Sequence, residues 1–173
     1  ACKLDHETLQ GLIELCRYTP STANKQSIKF AYANSKEACD KIFPLIGWAG
    51  YLQDKPPYNG NVPAAYILVC YDTGIAPELE IDAGICAQTI VLGAMDMGIG
   101  ACMLGNFKKP EIADIFALPE HIKPRLLIAL GRPAETVEIV DIKDGDVKYF
   151  RDGREKNIVP KRTLNEIMLP KAE

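Results

Sequence analysis

Several functional classes need residues that this chain has little of. Only two histidines, His6 and His121, occur in its 173 residues, and neither sits in a ligand-spaced cluster, so a zinc or non-haem iron site has no support and no metal is expected. His121 is expected at the surface, in a loop. The six cysteines, at positions 2, 16, 39, 70, 86 and 102, include no C-x-x-C pair. Several fall inside apolar periodic segments, where cysteine behaves as a small hydrophobe, so reduced core thiols are expected. Basic residues are scattered, the net charge is -3 and the pI is near 5.5. That lacks the positive excess that phosphate-backbone binding requires, so no nucleic-acid partner is expected. No apolar run approaches the roughly 20 residues of a membrane span, and the first residues have no signal-peptide core. No membrane association and a cytoplasmic location are therefore the expectation. Internal repeats and low-complexity tracts are also missing.

What is present is a single globular domain's worth of chain, 47% hydrophobic, with helix and strand patterns alternating along it. Leu9, Leu12, Ile13 and Cys16 recur at i, i+3, i+4 and i+7 after Asp5, a fitting N-cap, and Pro20 stops that helix. Ser35 caps a second helix to about Ile46. Residues 48–61 follow as a cover loop rich in Pro, Asn and Gly. Residues 64–71 form a nearly continuous apolar run of strand formers, as in a central strand covered on both faces. Residues 80–97 give the clearest helix, with Ile81, Ile85, Gln88, Leu92 and Met95 on overlapping faces and small Gly84, Ala87, Gly93 and Ala94 permitting close approach, so it should be buried, including between subunits. A glycine-flanked strand over 98–105, a helix over 109–116, a strand over 126–130, a polar hairpin around Asp144-Gly145 and a short helix ending at Leu169 complete the reading. It predicts an α/β or α+β layered domain.

Residues 19–30 hold the densest polar chemistry. Ser21, Thr22, Asn24 and Gln26 place two hydroxyls and two amides within six residues. An amide donates and accepts at once, which suits a planar heterocycle better than a phosphate. Taken alone, the stretch also reads as ordinary turn chemistry, with Ser and Asn bonding their own backbone. Gly98-Ile99-Gly100 is no dinucleotide fingerprint, because Met103 stands where the third glycine would fall.

In their order the motifs resemble the FMN-dependent nitroreductases. The likeness rests on Thr19-Pro20-Ser21-x-x-Asn24-x-Gln26, Val62-Pro63-Ala64-Ala65, Asp82-x-Gly84-x-x-x-Gln88, Gly98-Ile99-Gly100 with Leu104-Gly105, Ala129-Leu130-Gly131-x-Pro133 and Pro160-Lys161-Arg162, and it covers nearly the whole chain. It implies one α+β domain of three layers over 1–173, with a mixed, mainly antiparallel central sheet flanked by helices. It further implies a homodimer with two FMN sites, each lined by both chains. Carried over by residue, Pro20, Ser21 and Asn24 approach the flavin ring with Gln26 in support, and the Met103-Leu104-Gly105 backbone faces its reactive edge. Lys161 and Arg162 contact the phosphate, where the alternative is a solvated surface pair. Trp48 and Tyr51 stack over the flavin, or else belong to satellite core.

The implied activity is hydride transfer from NADH or NADPH to FMN and then to a nitroaromatic, quinone or similar small acceptor, in ping-pong order. No catalytic side chain is assigned, because the flavin carries the chemistry. The family usually begins with an Arg-Ser-x-Arg-like segment that grips the phosphate, whereas this sequence starts Ala1-Cys2-Lys3-Leu4. If that segment is missing in the cell, phosphate affinity rests on Lys161 and Arg162. Two other readings stay open: another flavin reaction such as reductive dehalogenation, and a flavin-free or weakly flavin-binding regulatory module.

Overall fold

The computed structural model describes residues 4–52, 62–153 and 156–170. The predicted residues 53–61 of the cover loop therefore lie outside the described residues, while Trp48 and Tyr51 lie within them. The chain divides into two compact units, one formed by Ala1–Trp48 with Pro56–Arg132 and the other by Ala49–Lys55 with Pro133–Glu173.

The first unit begins with α1 (His6–Glu14), capped as expected by Asp5, whose Oδ1 accepts from the Thr8 N–H at 2.9 Å. A 3-10 turn over Leu15–Tyr18 follows, and then β1 (Ile28–Ala33). The helix α2 (Lys36–Ile42) is capped by the Ser35 hydroxyl, which accepts from the Ala38 N–H. It ends four residues before the predicted Ile46, because Pro44 has no N–H to continue the ladder and the chain tightens into a 3-10 turn over Phe43–Leu45. The remaining elements are β2 (Ala65–Asp72), α3 (Glu80–Asp96), β3 (Gly100–Leu104), α4 (Lys109–Ile115) and β4 (Ile122–Gly131).

These strands form an antiparallel sheet in the order β1-β2-β4-β3. Every residue of β2 is buried, as its apolar run predicted. Alternation along β2 sends Ala65, Ile67, Val69 and Tyr71 to one face, against α1 and α3. Tyr66, Leu68 and Cys70 go to the other, against α2 and α4. The result is three layers with two cores. β4 begins four residues before the expected 126, since Pro124 is tolerated where the β2–β4 register shifts between Val69 and Cys70.

One side of α3 is buried: Asp82, Ala83, Cys86, Ala87, Ile90 and Ala94 face the core. Gly93 is the close-approach point, since a Cβ there would overlap the Leu15 side chain. The other side is open: Ile81 is 75% exposed, Leu92 51% and Met95 67%, so burial of the whole helix is not achieved within one chain. Gly98 (φ 70°) ends the helix, with the Ile99 N–H donating to the Ala94 carbonyl at 2.8 Å and the Gly98 N–H to Met95 at 3.0 Å.

The second unit holds β5 (Thr136–Asp141), β6 (Phe150–Asp152), β7 (Lys156–Lys161) and α5 (Leu164–Ile167). Asp144 and Gly145 do form a tight turn with positive φ, closed by the Asp146 N–H on the Lys143 carbonyl. It does not join a hairpin, contrary to the sequence reading: β5 pairs in parallel with β7, and the antiparallel partner of β7 is β6. Turn chemistry is local, whereas the choice of partner strand is not. Among the described residues no helix is long and apolar enough to cross a membrane, and no cluster of His, Cys, Asp or Glu could hold a metal ion.

Candidate functional site

An open groove of about 880 Å³ lies in the first unit, within the size range of cofactor and ligand clefts. Its floor is one face of β1, where Ile28, Phe30 and Tyr32 alternate outward, and a wall comes from Gln10 and Ile13 of α1 and Arg17 of the 3-10 turn after it. The far end is the 19–26 turn. Four predicted residues, Pro20, Ser21, Asn24 and Gln26, line this single groove.

The turn is held by a carboxylate to which the sequence reading gave no role in the site. Asp82, in the first turn of α3, is 2% exposed. It accepts from the Ser21 hydroxyl at 2.8 Å, the Thr22 hydroxyl at 2.7 Å and the Thr22 N–H at 3.0 and 3.1 Å. Burial works against its charge, but the Thr22 and Ser21 hydrogen bonds outweigh that and hold its pKa below the ordinary 3.8. The helix N-terminus adds to the preference for an anion there. Arg125 on β4 fixes this end of α3 by donating from Nε to both oxygens of Glu80, at 2.6 and 2.9 Å. A signal for Asp82 exists in the sequence: with Cys86 and Ile90 at i+4 and i+8, it is a carboxylate on the core-facing stripe of an apolar helix.

Anchoring decides which groups stay available. The Ser21 hydroxyl donates to Asp82 and accepts from the Gln26 N–H at 2.8 Å, so it is committed to the turn. Gln26 Nε2 donates to the Asn24 carbonyl at 3.1 Å, leaving its side-chain oxygen as an acceptor. Asn24 is exposed, and its side-chain amide makes no hydrogen bond among the described residues. Three non-glycine residues here have left-handed backbone: Ala23 (φ 48°), Asn24 (φ 54°) and Gln26 (φ 53°). Such conformations cost on the order of 1 to 3 kcal/mol each and persist where surrounding contacts dictate them.

The other predicted residues are placed as follows. Met103 and Leu104 end β3, Met103 exposed and Leu104 buried, and Gly105 follows directly. Among the described residues nothing demands glycine at 105: its φ is not positive, and an added Cβ would meet only Leu126, at 3.9 Å. Trp48 stacks on Phe43 with centroids 5.1 Å apart and donates from Nε1 to the Phe43 carbonyl, which ties it to the α2-side core. In the second unit Tyr51 packs edge-on against Tyr149. Lys161 and Arg162 are exposed at the end of β7, with Arg162 paired to Glu166 at 3.4 Å.

The sequence profile of the Nitroreductase family matches residues 2–132. The chain belongs to the nitroreductase family. Among curated proteins, this nitroreductase-family chain is 26% identical over 151 residues to a protein of Methanothermobacter thermautotrophicus that carries the provisional name NADH dehydrogenase/NAD(P)H nitroreductase, covering 83% of this chain and 75% of that one. It is likewise 26% identical over 144 residues to an FMN reductase [NAD(P)H] of Bacillus subtilis, covering 75% of this chain and 58% of the relative's length. Among solved structures, an FMN-dependent nitroreductase of Clostridium difficile R20291 superposes with a TM-score of 0.66 at 18% identity, over 88% of this chain and 90% of the other. A similar match, TM-score 0.64 at 22% identity and 88% of each chain, is found in Parabacteroides distasonis. At such identities the superpositions establish the shared nitroreductase fold.

Proposed function

We propose that this nitroreductase-family protein is an FMN-dependent oxidoreductase that takes a hydride from NADH or NADPH and reduces nitroaromatic, quinone or similar small acceptors. The observation that carries the reading is the groove closed by the Asp82-anchored turn, where Asn24 and Gln26 retain amide valences of the kind a flavin ring edge needs, donor and acceptor together. The names of the Bacillus and Clostridium relatives support the choice of FMN.

The residues present fit the group on two counts. The groove combines an apolar floor with a polar end; Gly105, which lies outside that groove's lining, is a glycine that the packing of the described residues does not require, as expected where backbone must approach a ligand closely. When bound, FMN supplies the redox chemistry, accepting a hydride and passing electrons to the second substrate in ping-pong order. The protein's part is orientation. Asn24 presents its amide to the ring, Gln26 supports it, and Ser21 and Thr22 transmit the rigidity of Asp82 to the turn. The resemblance assigns the backbone of Met103, Leu104 and Gly105 to the ring's reactive edge and Lys161 and Arg162 to the phosphate.

The same reading makes the protein a homodimer with sites built by both chains. The open stripe of Ile81, Leu92 and Met95 on α3, with Gly84 on the same side having no neighbour within 4 Å, supports it. The purified protein should show visible flavin bands that bleach when NADH or NADPH is added without oxygen. Lack of any band after incubation with FMN would remove the proposal and favour a flavin-free binding module.

A further inference from the structure

Beneath the anchored turn the groove is lined by two buried thiols that the proposed reaction leaves unused. Cys16, in the 3-10 turn that follows α1, is 8% exposed, and Cys86, one helical turn beyond Asp82 on α3, is 5% exposed. The Cys16 thiol lies 3.5 Å from the Cys86 carbonyl, which brings the two cysteines together across α1's 3-10 extension and α3. Thr19 bridges the pair, its hydroxyl donating to the Cys16 carbonyl at 2.8 Å while its oxygen lies 3.6 Å from Cys86 Sγ. The hydrogen bond from Cys16 holds the Cys86 thiol below its ordinary range, and the same contact pushes Cys16 up. Cys39 and Cys70 differ: both lie in the core on the other side of the sheet, and burial pushes both upward.

We propose that Cys16 and Cys86 form a redox-active dithiol that takes a hydroperoxide from the groove and closes to a disulfide. Cys86 as thiolate attacks one peroxide oxygen, so that an S–O bond forms and the O–O bond breaks. The departing oxygen takes a proton and leaves as water or an alcohol, and Cys86, oxidised by two electrons, becomes a sulfenic acid. Cys16 then attacks that sulfur; the S–S bond forms, the S–O bond breaks, and the hydroxide leaves as water with the Cys16 proton. Two thiols and one hydroperoxide give one disulfide, one water and one further water or alcohol. The groove admits the oxidant, and the Cys16 thiol's approach to the Cys86 backbone, with Thr19 touching both residues, places the resolving cysteine beside the attacking one, which favours the disulfide over further oxidation. The inference is independent of flavin binding.

The test treats the reduced, native full-length protein with hydrogen peroxide, alkylates the remaining thiols and maps them by mass spectrometry. A protease cutting at acidic residues is needed, because the chain has no Lys or Arg between Cys70 and Cys102, whereas Asp82 and Asp96 flank Cys86. The expected result is a Cys16–Cys86 linked peptide, two hydrogens lighter than the sum of its parts. It should form while Cys39 and Cys70 remain alkylatable, and dithiothreitol should reverse it. The proposal is overturned if both thiols stay alkylatable after exposed Cys102 has been fully oxidised. It is equally overturned if Cys86 proceeds to a sulfinic acid with Cys16 free, or if the link appears only after Cys39 and Cys70 have reacted.

Discussion

Asp82 shows how one residue can set a site without offering itself to a ligand. Its oxygens receive the Ser21 and Thr22 donors, and the residues that follow include Ala23, Asn24 and Gln26 in left-handed backbone, with Asn24 exposed. Asp82→Asn should lower unfolding stability by about 1.5 to 3 kcal/mol in urea melts, the range for a hydrogen bond to a charged group. Because folding holds this carboxyl below its ordinary value, its contribution is complete above about pH 4 and is lost as pH falls through the lower folded value. The wild-type stability should therefore fall more steeply than the variant's in acid. Asn24→Gly removes the amide while keeping a residue that tolerates φ 54°, so FMN should bind more weakly with an unchanged melting curve. Equal FMN affinity in a fluorescence titration would refute the role of Asn24. Gly105→Ala separates packing from binding in the same way: the fold has room for the methyl, so weakened FMN binding with normal stability is expected.

At the level of elements, α3 has two apolar sides with different partners. Its inner side seals the core, and Ile90, which is fully buried, should cost about 2 to 5 kcal/mol on replacement by Ala, as read from denaturation. Much of this was legible beforehand: the Asp5 and Ser35 caps and the buried run of β2 are local signals, and each stands where expected. The errors came where pairing is decided at long range. Asp144-Gly145 is a proper turn, yet β5 takes β7 as its partner, and Pro124 lies inside β4 because a register shift accommodates it.

For the whole molecule, the outer side of α3 is the feature that a single chain leaves unresolved. Leu92→Glu places a charge on the open stripe without touching the core, so it should shift a dimer towards monomer in sedimentation velocity while the far-UV spectrum stays the same. An unchanged mass would remove this face from the interface. The sequence by itself determined the family, the order of the main elements up to residue 131, the layered α+β class and the location of the polar turn. Those follow from short-range periodicity, caps and motif spacing, which need no knowledge of distant neighbours. Only the tertiary structure decided that Ser21 is consumed by Asp82 across 61 positions, that Trp48 belongs to Phe43, and that Cys16 and Cys86 meet beneath the turn. Hydrogen bonds and thiol contacts between residues far apart in the chain depend on how α1 and α3 pack together, and no local pattern encodes that distance.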